Sequence, residues 1–304
     1  MNETSVSRPV YKAASLWRRD SLLAYGYTAP TLVVMAIFMG IPAVSAIILS
    51  LQQKTVGAPA TFVGWQNFWA LLQDSAFQKT VMNTFVFTIA SIVLKLAIGM
   101  ALALLLNGNI LLRNFWRAVL LIPWVVPVIV TCVAWRWLFH DFAGVINHFL
   151  QSLHLISVPI PWLGLPAWAM TAVVTTITWR DYPFFAVAFL AGLQTIPQEL
   201  YEAARIDGAS AWQAFWRVTV PMLAPVTSTV LMTNFILTVN DFQIVHIMTN
   251  GGPFFSTEIF ATLMYRIAFL SGEIGKGAAV AVIQFPLLIA LIVVASRYLL
   301  KREA

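Results

Sequence analysis

Three ionisable residues lie well inside long apolar runs of this 304-residue sequence: Lys95 in one run, and the adjacent Arg180 and Asp181 in another. A charge at membrane depth costs on the order of 2.5–3.5 kcal/mol on insertion scales, and it usually faces a bundle interior or a wet cavity. Successive helical residues point about 100° apart, so Arg180 and Asp181 are not expected to face each other. We therefore predict an ion pair between Lys95 and Asp181 across a helix interface, with either a functional or a purely structural role.

Polar residues recur beside these charges at the spacing of one helix face. Two apolar runs carry them at i, i+4 and i+7: Thr171, Thr175 and Thr178, followed by Tyr182, in one run, and Asn234, Thr238 and Asp241 in another. Such groups could line a path and replace the hydration of a polyhydroxylated ligand, although Ser, Thr and Asn also bridge packed helices without any further role. With Trp179 beside the first stripe and Gln284 in a later run, the candidate pathway residues are Lys95, Trp179, Arg180, Asp181, Tyr182, Asn234, Thr238, Asp241 and Gln284.

Groups for catalysis or metal binding are not assembled in the sequence. The histidines show no metal-ligand spacing. Segment 272–277 fails the nucleotide-binding P-loop pattern in its glycine spacing and in the residue after its lysine. The single cysteine, Cys132, cannot form a disulfide within one chain. We therefore expect no catalytic residue, no metal and no cofactor in this chain, and no ATP hydrolysis by this chain alone.

The composition predicts the elements that position these residues. Hydrophobic residues make up 60% of the chain and charged residues 10%, whereas soluble domains carry about 25% charged residues. A helix that crosses hydrocarbon needs about 20 mostly apolar residues. Six segments qualify, which predicts an all-α integral membrane fold with transmembrane helices at 28–51, 81–106, 115–138, 167–192, 222–246 and 277–300. The net charge of +6 does not indicate nucleic-acid binding, because the basic residues cluster at the ends of apolar segments.

The distribution of Lys and Arg predicts the orientation of the chain. With the N-terminus inside, 11 of them fall on the cytoplasmic side and 4 on the outer side, or 5 with Arg136. Both termini are therefore predicted to be cytoplasmic. The predicted parts are a cytoplasmic tail at 1–27, a first transmembrane helix at 28–51, a periplasmic loop at 52–80 and a core at 81–300. The first helix is longer than the apolar part of a signal peptide, about 7–15 residues, so we interpret it as retained.

The cytoplasmic segment 194–221 carries signals for two short helices joined by a sharp turn. Each helix is expected to open with a capping box, in which a side chain and the backbone satisfy each other's donors. A glycine between the helices tolerates the left-handed conformation of a helix end, and a proline closes the second helix. The capping boxes and the stop signals are Thr195 with Gln198, Ser210 with Gln213, Asp207-Gly208, and Pro221.

An aromatic face distinguishes the second of these helices. Trp212, Phe215 and Trp216 fall at i, i+3 and i+4, which places them side by side. The face indicates either a docking element for another protein or an interfacial helix whose rings lie in the headgroup layer.

The same segment resembles the EAA signature of permeases in binding-protein-dependent ABC importers: E-A-A, three residues, G, nine residues, I, any residue, L-P. The matching residues are Glu202-Ala203-Ala204, Asp207-Gly208, Val218 and Val220-Pro221, with valine in place of Ile and Leu. The resemblance implies the type I ABC importer permease fold, also called MetI-like. In that family the loop forms a coupling helix that sits in a cleft of the cytoplasmic ATPase. It assigns the ATPase contact to Glu202, Ala203, Ala204, Asp207 and Gly208.

Further matches resemble the MalF-like branch of that family, whose members import sugars and related polyols. They are Asn250-Gly251-Gly252-Pro253 with Ser256-Thr257, Tyr265 and Phe269, then Asn240-Asp241-Phe242, and Phe115-Trp116-Arg117 with Leu121-Ile122-Pro123-Trp124. The resemblance implies a sugar or sugar derivative as the substrate. It also gives candidate contacts to a solute-binding protein at Asn250, Gly251, Gly252 and Pro253. An unpaired Lys95 or Arg180 would favour an anionic sugar derivative.

The partners implied by this resemblance complete the sequence-based hypothesis. They are a second permease subunit in a heterodimer, two cytoplasmic ATPase subunits that bind ATP and Mg, a periplasmic or extracellular solute-binding protein, and the lipid of a bacterial inner membrane. The main alternative is an ion-coupled secondary transporter. That class predicts broken helices or inverted repeats, and neither is evident in the sequence.

Overall fold

A computed structural model describes residues 25–303 of the chain, which divides into two units at residues 48 and 49. The described part of the first unit belongs to helix α1, Tyr25–Ser50, which contains a π-helical turn at Ala36–Gly40. None of residues 25–48 is buried. A long apolar helix with exposed side chains suits a lipid environment or another membrane subunit.

The second unit is a helical bundle with one small sheet. Two short strands, β1 and β2, pair antiparallel with Gln52 opposite Phe62. Four helices hold the candidate pathway residues other than Asp241: α3 and α7, which share the most extensive helix interface, α10, and the final helix α13. The elements are β1 Gln52–Gln53, β2 Thr61–Phe62, α2 Gln66–Gln73, α3 Ser75–Asn107, α4 Arg113–Val125, α5 Val128–Leu138, α6 Val145–Ser152, α7 Pro166–Leu193, α8 Gln198–Ile206, α9 Ala211–Met222, α10 Ala224–Val239, α11 Phe242–Thr249, α12 Phe260–Leu270 and α13 Ile274–Glu303.

Two of the predicted membrane spans are not continuous helices. The predicted span 115–138 is divided into α4 and α5, which meet at 91° around Val126 and Pro127. The ring of Pro127 removes a backbone donor and disfavours the helical conformation of the preceding residue. The predicted span 222–246 is also divided, because α10 ends at Val239 and α11 begins at Phe242. The expectation of unbroken helices is therefore wrong at these two places.

Length and composition alone identify fewer membrane spans than the sequence analysis predicts. Among the described residues, α1 and α3 are long and apolar enough to cross a membrane. The bent pairs α4–α5 and α9–α10 each qualify when both members count as one span. Helix α7 has 28 residues, but its polar centre at Arg180 and Asp181 lowers its hydropathy. Its polar centre lies against other helices of the bundle, which is the usual place for such groups in a membrane protein.

Helices α3 and α7 run parallel and in close contact. Lys95 pairs with Asp181, and a Cβ atom added to Gly99 would lie 2.5 Å from the Cβ of Phe185. The residue numbers differ by 86 in both contacts, Lys95 with Asp181 and Gly99 with Phe185. The two helices therefore run in the same direction. Glycine at position 99 permits this approach, as small residues do at helix interfaces in membranes.

Three apolar clusters fill the described core. One joins α3, α5, α7 and α11 and contains the buried Cys132. A second joins α3, α4 and α7 around Phe189, and the third joins α2, α3, α12 and α13 around Leu263. The charged candidate residues lie where the first two clusters meet on α3 and α7.

Candidate functional site

The predicted Lys95–Asp181 ion pair is present at the centre of the bundle. Lys95 is fully buried, and its Nζ donates to Oδ2 of Asp181 at 2.8 Å and to Oγ1 of Thr238 at 3.1 Å. The lysine therefore joins three helices, α3, α7 and α10. A buried cation in this position is retained only because a carboxylate and a hydroxyl replace its hydration.

Arg180 extends the pair into a network of four charges. Its Nε donates to Oδ1 of Asp181 at 2.5 Å, and its Nη2 donates to Oδ2 of Asp181 at 2.9 Å and to Oδ2 of Asp241 at 2.7 Å. The expectation that Arg180 and Asp181 do not pair is therefore wrong. Helical spacing fixes the directions of the Cβ atoms, whereas the long arginine side chain can bend back to its neighbour.

Asp241 has a second role at the break between α10 and α11. Its Oδ1 accepts a hydrogen bond from the backbone N–H of Ile244 at 3.1 Å and so caps the first turn of α11. One carboxylate thus stabilises the local helix end and binds the guanidinium of α7. The neighbouring Asn240 accepts a hydrogen bond from Gln284 of α13 at 3.0 Å. The broken span is therefore attached to both α7 and α13.

A cavity of about 620 Å³ opens beside this network. It lies where the two broken spans approach α7, and its lining combines aromatic rings, amides and charged groups. Irregular backbone at membrane depth is tolerated where it borders protein or a water-filled cavity. The lining residues are Trp124, Val126, Val128, Arg180, Asp181, Phe184, Asn234, Leu237, Asn240, Asp241, Phe242 and Gln243.

Four of the nine candidate pathway residues line this cavity: Arg180, Asp181, Asn234 and Asp241. Lys95, Thr238 and Gln284 lie behind the lining and hold it through the hydrogen bonds given above. Trp179 packs edge to face against Trp135 with ring centroids 5.8 Å apart, and Tyr182 packs against the second apolar cluster. The structure therefore does not bring Trp179 or Tyr182 to the cavity.

The aromatic part of the lining and two of its amides were not predicted as pathway residues. They are Trp124, Phe184, Phe242, Asn240 and Gln243, although the family resemblance already drew on Trp124, Asn240 and Phe242. The available signal was Pro127 within a predicted span, which marks a break that turns nearby side chains toward the cavity.

A buried polar stripe on α3 leads from the N-terminal part of this helix to Lys95. Its members recur every three or four residues and are all buried. The hydroxyls of Thr88 and Ser91 have no hydrogen-bond partner among the described residues. The sequence pattern could have revealed this stripe, because it has the spacing of one helix face: Thr80, Thr84, Thr88, Ser91 and Lys95.

The segment with the EAA resemblance folds into a helical hairpin, α8–turn–α9. Gly208 has a φ of 77° in the turn, as its predicted left-handed conformation requires. The capping box of Ser210 and Gln213 is present at the start of α9. The predicted box of Thr195 and Gln198 is absent, because the hydroxyl of Thr195 donates to the carbonyl of Gly192 at 2.8 Å. Helix α8 consequently begins at Gln198 after Pro197, without a side-chain cap.

The hairpin presents its signature residues on the surface. Glu202, Ala203, Asp207 and Gly208 are exposed, and Ala204 is half-buried.

The aromatic face beside the hairpin turn is also largely uncovered. Trp212 is 69% exposed and Trp216 is 52% exposed, with Phe215 packed against both rings. A hydrogen bond of 3.0 Å between the hydroxyls of Tyr201 and Thr219 holds the two helices together.

The glycine-rich loop after α11 is a tightly bonded turn. Asn250 and Gly251 both have positive φ, and the peptide bond from Gly252 to Pro253 is cis. Thr257 closes the turn, because its hydroxyl donates to the carbonyl of Gly252 at 2.8 Å and its N–H donates to that of Gly251 at 3.2 Å. Of the four predicted contact residues, Asn250 is exposed, Gly252 and Pro253 are half-buried and Gly251 is buried.

A buried carboxylate anchors this loop to the bundle. Glu258 accepts hydrogen bonds from Nε of Arg266 at 2.7 Å and from its Nη2 at 3.0 Å, and also from the hydroxyl of Thr80 on α3. These hydrogen bonds from the guanidinium to Glu258 raise the pKa of Arg266 above its usual range. Phe254, at the tip, is 81% exposed. The loop therefore offers an exposed aromatic tip on a rigid base.

Metal binding finds no support in the part of the chain that the structure describes. Residues 25–303 contain no group of three or more His, Cys, Asp or Glu side chains that could hold a metal ion.

Comparisons with known proteins agree with this architecture. The model of the family described as binding-protein-dependent transport system inner membrane component matches residues 95–303. The sulfoquinovosyl glycerol transport system permease protein SmoG of Agrobacterium fabrum is 35% identical over 94% of this chain and 95% of its own. The trehalose/maltose transport system permease protein MalF of Thermococcus litoralis is 34% identical over 91% of this chain and 93% of its own.

A solved structure gives the same fold. A chain of a bacterial ABC transporter involved in the import of the acidic polysaccharide alginate superposes with a TM-score of 0.78 at 20% identity, and the match covers 94% of this chain and 99% of that one. The predicted type I importer permease fold is thereby confirmed.

Proposed function

The chain belongs to the family of binding-protein-dependent transport system inner membrane components, and from this membership we propose that it is the transmembrane permease subunit of an ATP-driven importer for a sugar or sugar derivative. The observation that carries the proposal is the hairpin α8–α9. It combines an exposed EAA block with a glycine turn that the rest of the described chain leaves uncovered. The named transport systems of the two relatives above support a carbohydrate as the cargo.

The hairpin supplies the contact through which ATP hydrolysis can move this subunit. We assign Glu202, Ala203, Ala204, Asp207 and Gly208 to a cleft of the partner ATPase. Apart from the glycine and its two chain neighbours, no atom of the described chain lies within 4 Å of a Cβ placed at Gly208, so the turn has room to enter such a cleft. Helix α9 continues through a 64° bend into α10. Because α10 ends beside the cavity, a displacement of the hairpin can be transmitted to the cavity wall through α9 and α10.

The cavity supplies the chemistry for a polyhydroxylated ligand. Amides at Asn234 and Gln243 can exchange hydrogen bonds with hydroxyl groups, and the rings of Trp124 and Phe242 can stack against the apolar face of a pyranose. Lys95, Thr238 and Gln284 act as positioning residues, because they hold the lining without reaching the cavity. We assign no pathway role to Trp179 and Tyr182, which pack away from the cavity.

The complex that this subunit joins follows from the family. We assign to it a second permease, two cytoplasmic ATPase subunits that bind ATP and Mg, and an extracytoplasmic solute-binding protein. The last of these contacts the outer face at Asn250–Pro253, where the exposed Phe254 extends the contact. The subunit lies in a bacterial inner membrane with both termini and 194–221 on the cytoplasmic side.

An ion-coupled secondary transporter is the competing function. The broken spans and the buried charges suit that class. Broken helices were not evident in the sequence, but the structure contains them, so their absence does not count against a secondary transporter. Such a transporter has no use for an exposed EAA hairpin, however, and the family membership describes a component of a binding-protein-dependent system. The importer function therefore accounts for more of the chain.

The test is ATP-dependent uptake of radiolabelled sugars by the reconstituted complex with its binding protein. Gly208→Asp is expected to abolish uptake while the complex still assembles. Gly57→Asp is the matched control, because Gly57 also has positive φ, 79°, and an uncovered Cβ direction. Uptake that requires ATP and fails only in Gly208→Asp supports the proposal. Uptake that proceeds without ATP, driven by an ion gradient, would contradict it.

A further inference from the structure

We infer that the cavity beside α7 selects uncharged sugars over anionic ones, and that the pairing of Arg180 with Asp241 determines this selectivity. The inference rests on the proposed function and narrows its substrate class. It concerns the charge state of the ligand that the cavity of this subunit accepts.

The cations of the network are already neutralised. Lys95 and Arg180 contribute two positive charges, and Asp181 and Asp241 contribute two negative charges. Lys95 is fully buried and makes no part of the cavity lining. Arg180 reaches the lining, but its Nε and Nη2 are bound to carboxylates. The condition under which the sequence predicts an anionic derivative, an unpaired Lys95 or Arg180, is therefore not met.

The cavity lining itself carries more carboxylates than cations. Of its charged members, Asp181 and Asp241 are negative and Arg180 is positive. An anion in the cavity would lie close to both carboxylates, which repel it. Two of the three guanidinium nitrogens of Arg180 already bind those carboxylates, so an anion could bind this side chain without displacing them only through Nη1. Binding through Nε or Nη2 would displace a carboxylate, and displacing Asp241 would also disturb its Oδ1 contact with the N–H of Ile244. An uncharged ligand meets none of these obstacles.

The free hydrogen-bonding side-chain amides of the lining are neutral. The side-chain amides of Asn234 and Gln243 have no hydrogen-bond partner among the described residues, and both line the cavity. An amide can donate to one hydroxyl and accept from another. Together with the rings of Trp124, Phe184 and Phe242, these groups fit hydroxyls and the apolar face of a sugar ring.

Asp241→Asn removes the negative charge of this side chain and keeps its helix cap. Asparagine caps helices as well as aspartate does, so the contact with Ile244 can persist while one negative charge is lost. The cavity then carries an incompletely paired Arg180. We expect its preference for a neutral sugar over the matching anion to fall by about tenfold or more, because one unit charge is lost within a few ångströms of the ligand. Asp74→Asn is the matched control, since Asp74 caps α3 in the same manner and lies outside the cavity lining.

The experiment measures ligand protection of a single thiol in the purified complex without binding protein. Leu237→Cys, in a Cys132→Ser background, places the thiol on an exposed part of the cavity wall. An uncharged maleimide labels it in the presence of glucose, galactose or maltose. Each sugar is set against the analogue in which one primary alcohol is oxidised to a carboxylate. Protection is compared for the unmodified network, Asp241→Asn and Asp74→Asn.

The expected result is protection by neutral sugars at lower concentrations than by their carboxylates, with the ratio reduced in Asp241→Asn and unchanged in Asp74→Asn. Stronger protection by the carboxylates with the network intact would overturn the inference, and so would protection by no sugar or a ratio unaffected by Asp241→Asn. The proposed importer function would survive each of those outcomes, because it is judged by ATP-dependent uptake.

Discussion

At the scale of single residues, the molecule is organised by four charges whose pairing depends on side-chain reach. Lys95 and Asp181 meet across the α3–α7 interface at 2.8 Å, and Arg180 connects Asp181 to Asp241. Removing one member of a buried ion pair leaves the other charge without compensation, which costs much more than removing both. The network should therefore respond to its charge balance more than to the loss of any one hydrogen bond.

Lys95→Met tests this balance. We expect the substitution to destabilise the subunit by about 3 kcal/mol, which is the low end of the range for breaking a buried ion pair. The cost is at the low end because Asp181 still pairs with Arg180. Asp181→Asn in the same chain removes the uncompensated charge, so the double variant should be more stable than the sum of the two single changes by about 1 kcal/mol or more. The four members of this double-mutant cycle are the unsubstituted chain, the two single variants and the double variant. Their stabilities are compared by thermal unfolding of the purified complex. Strict additivity would show that Lys95 and Asp181 are not energetically coupled.

Sequence patterns identified the partners at this scale but not all of the pairs. Lys95 and Asp181 lie deep within apolar runs, where charged residues are rare. These positions were enough to predict that the two residues form an ion pair. The pairing of Arg180 with its neighbour and with Asp241 depends on rotamers and on the helix break at Asn240, and neither is fixed by spacing. For the same reason Trp179 and Tyr182, which have the right residue types, pack away from the cavity.

At the scale of elements, the close contact of α3 with α7 sets the position of the network. Gly99 allows the two helices to approach one turn below Lys95, where a side chain would collide with Phe185 and Ala186. A bilayer provides no hydrophobic force between helices, so tight packing at small residues contributes much of the association. The spacing at Gly99 should therefore control the geometry of the ion pair above it.

Gly99→Ala is expected to lower the thermal unfolding midpoint of the complex, because the added methyl group must move backbone or the Cβ of Phe185. Overpacking of this kind typically costs about 1–3 kcal/mol. Gly40→Ala is the control, since a Cβ there meets no atom within 4 Å. Equal midpoints for the two variants would show that the α3–α7 contact is looser than the structure indicates.

Local turn signals predicted the elements better than hydropathy did. The hairpin turn at Asp207-Gly208 was predictable because left-handed helix ends favour glycine, and Gly208 has a φ of 77°. The divisions of the third and fifth predicted spans were not predicted, because a hydropathy window averages composition and does not register a change of backbone direction. Pro127 was the local sign of the first division. At Asn240 the signal was an Asn-Asp pair within an apolar run.

At the scale of the whole molecule, the hairpin and the cavity are connected by α9 and α10. The hairpin lies at one end of this pair and the α10–α11 break lies at the other, beside Asp241. Motion at the hairpin therefore has a continuous route to the cavity wall. The fold was predictable from the EAA resemblance. The cavity was not, because it depends on where two broken spans approach α7.

The most direct measurement follows the labelling rate of Leu237→Cys, in a Cys132→Ser background, in the full reconstituted complex with its binding protein. The rate is recorded without nucleotide and after trapping with ATP and vanadate, in chains with Gly208 or with Gly208→Asp. We expect trapping to change the rate several-fold when Gly208 is intact and to leave it unchanged in Gly208→Asp. A rate that ignores nucleotide in the intact chain, or that responds equally in Gly208→Asp, would contradict the claim that this hairpin couples ATP hydrolysis to the cavity.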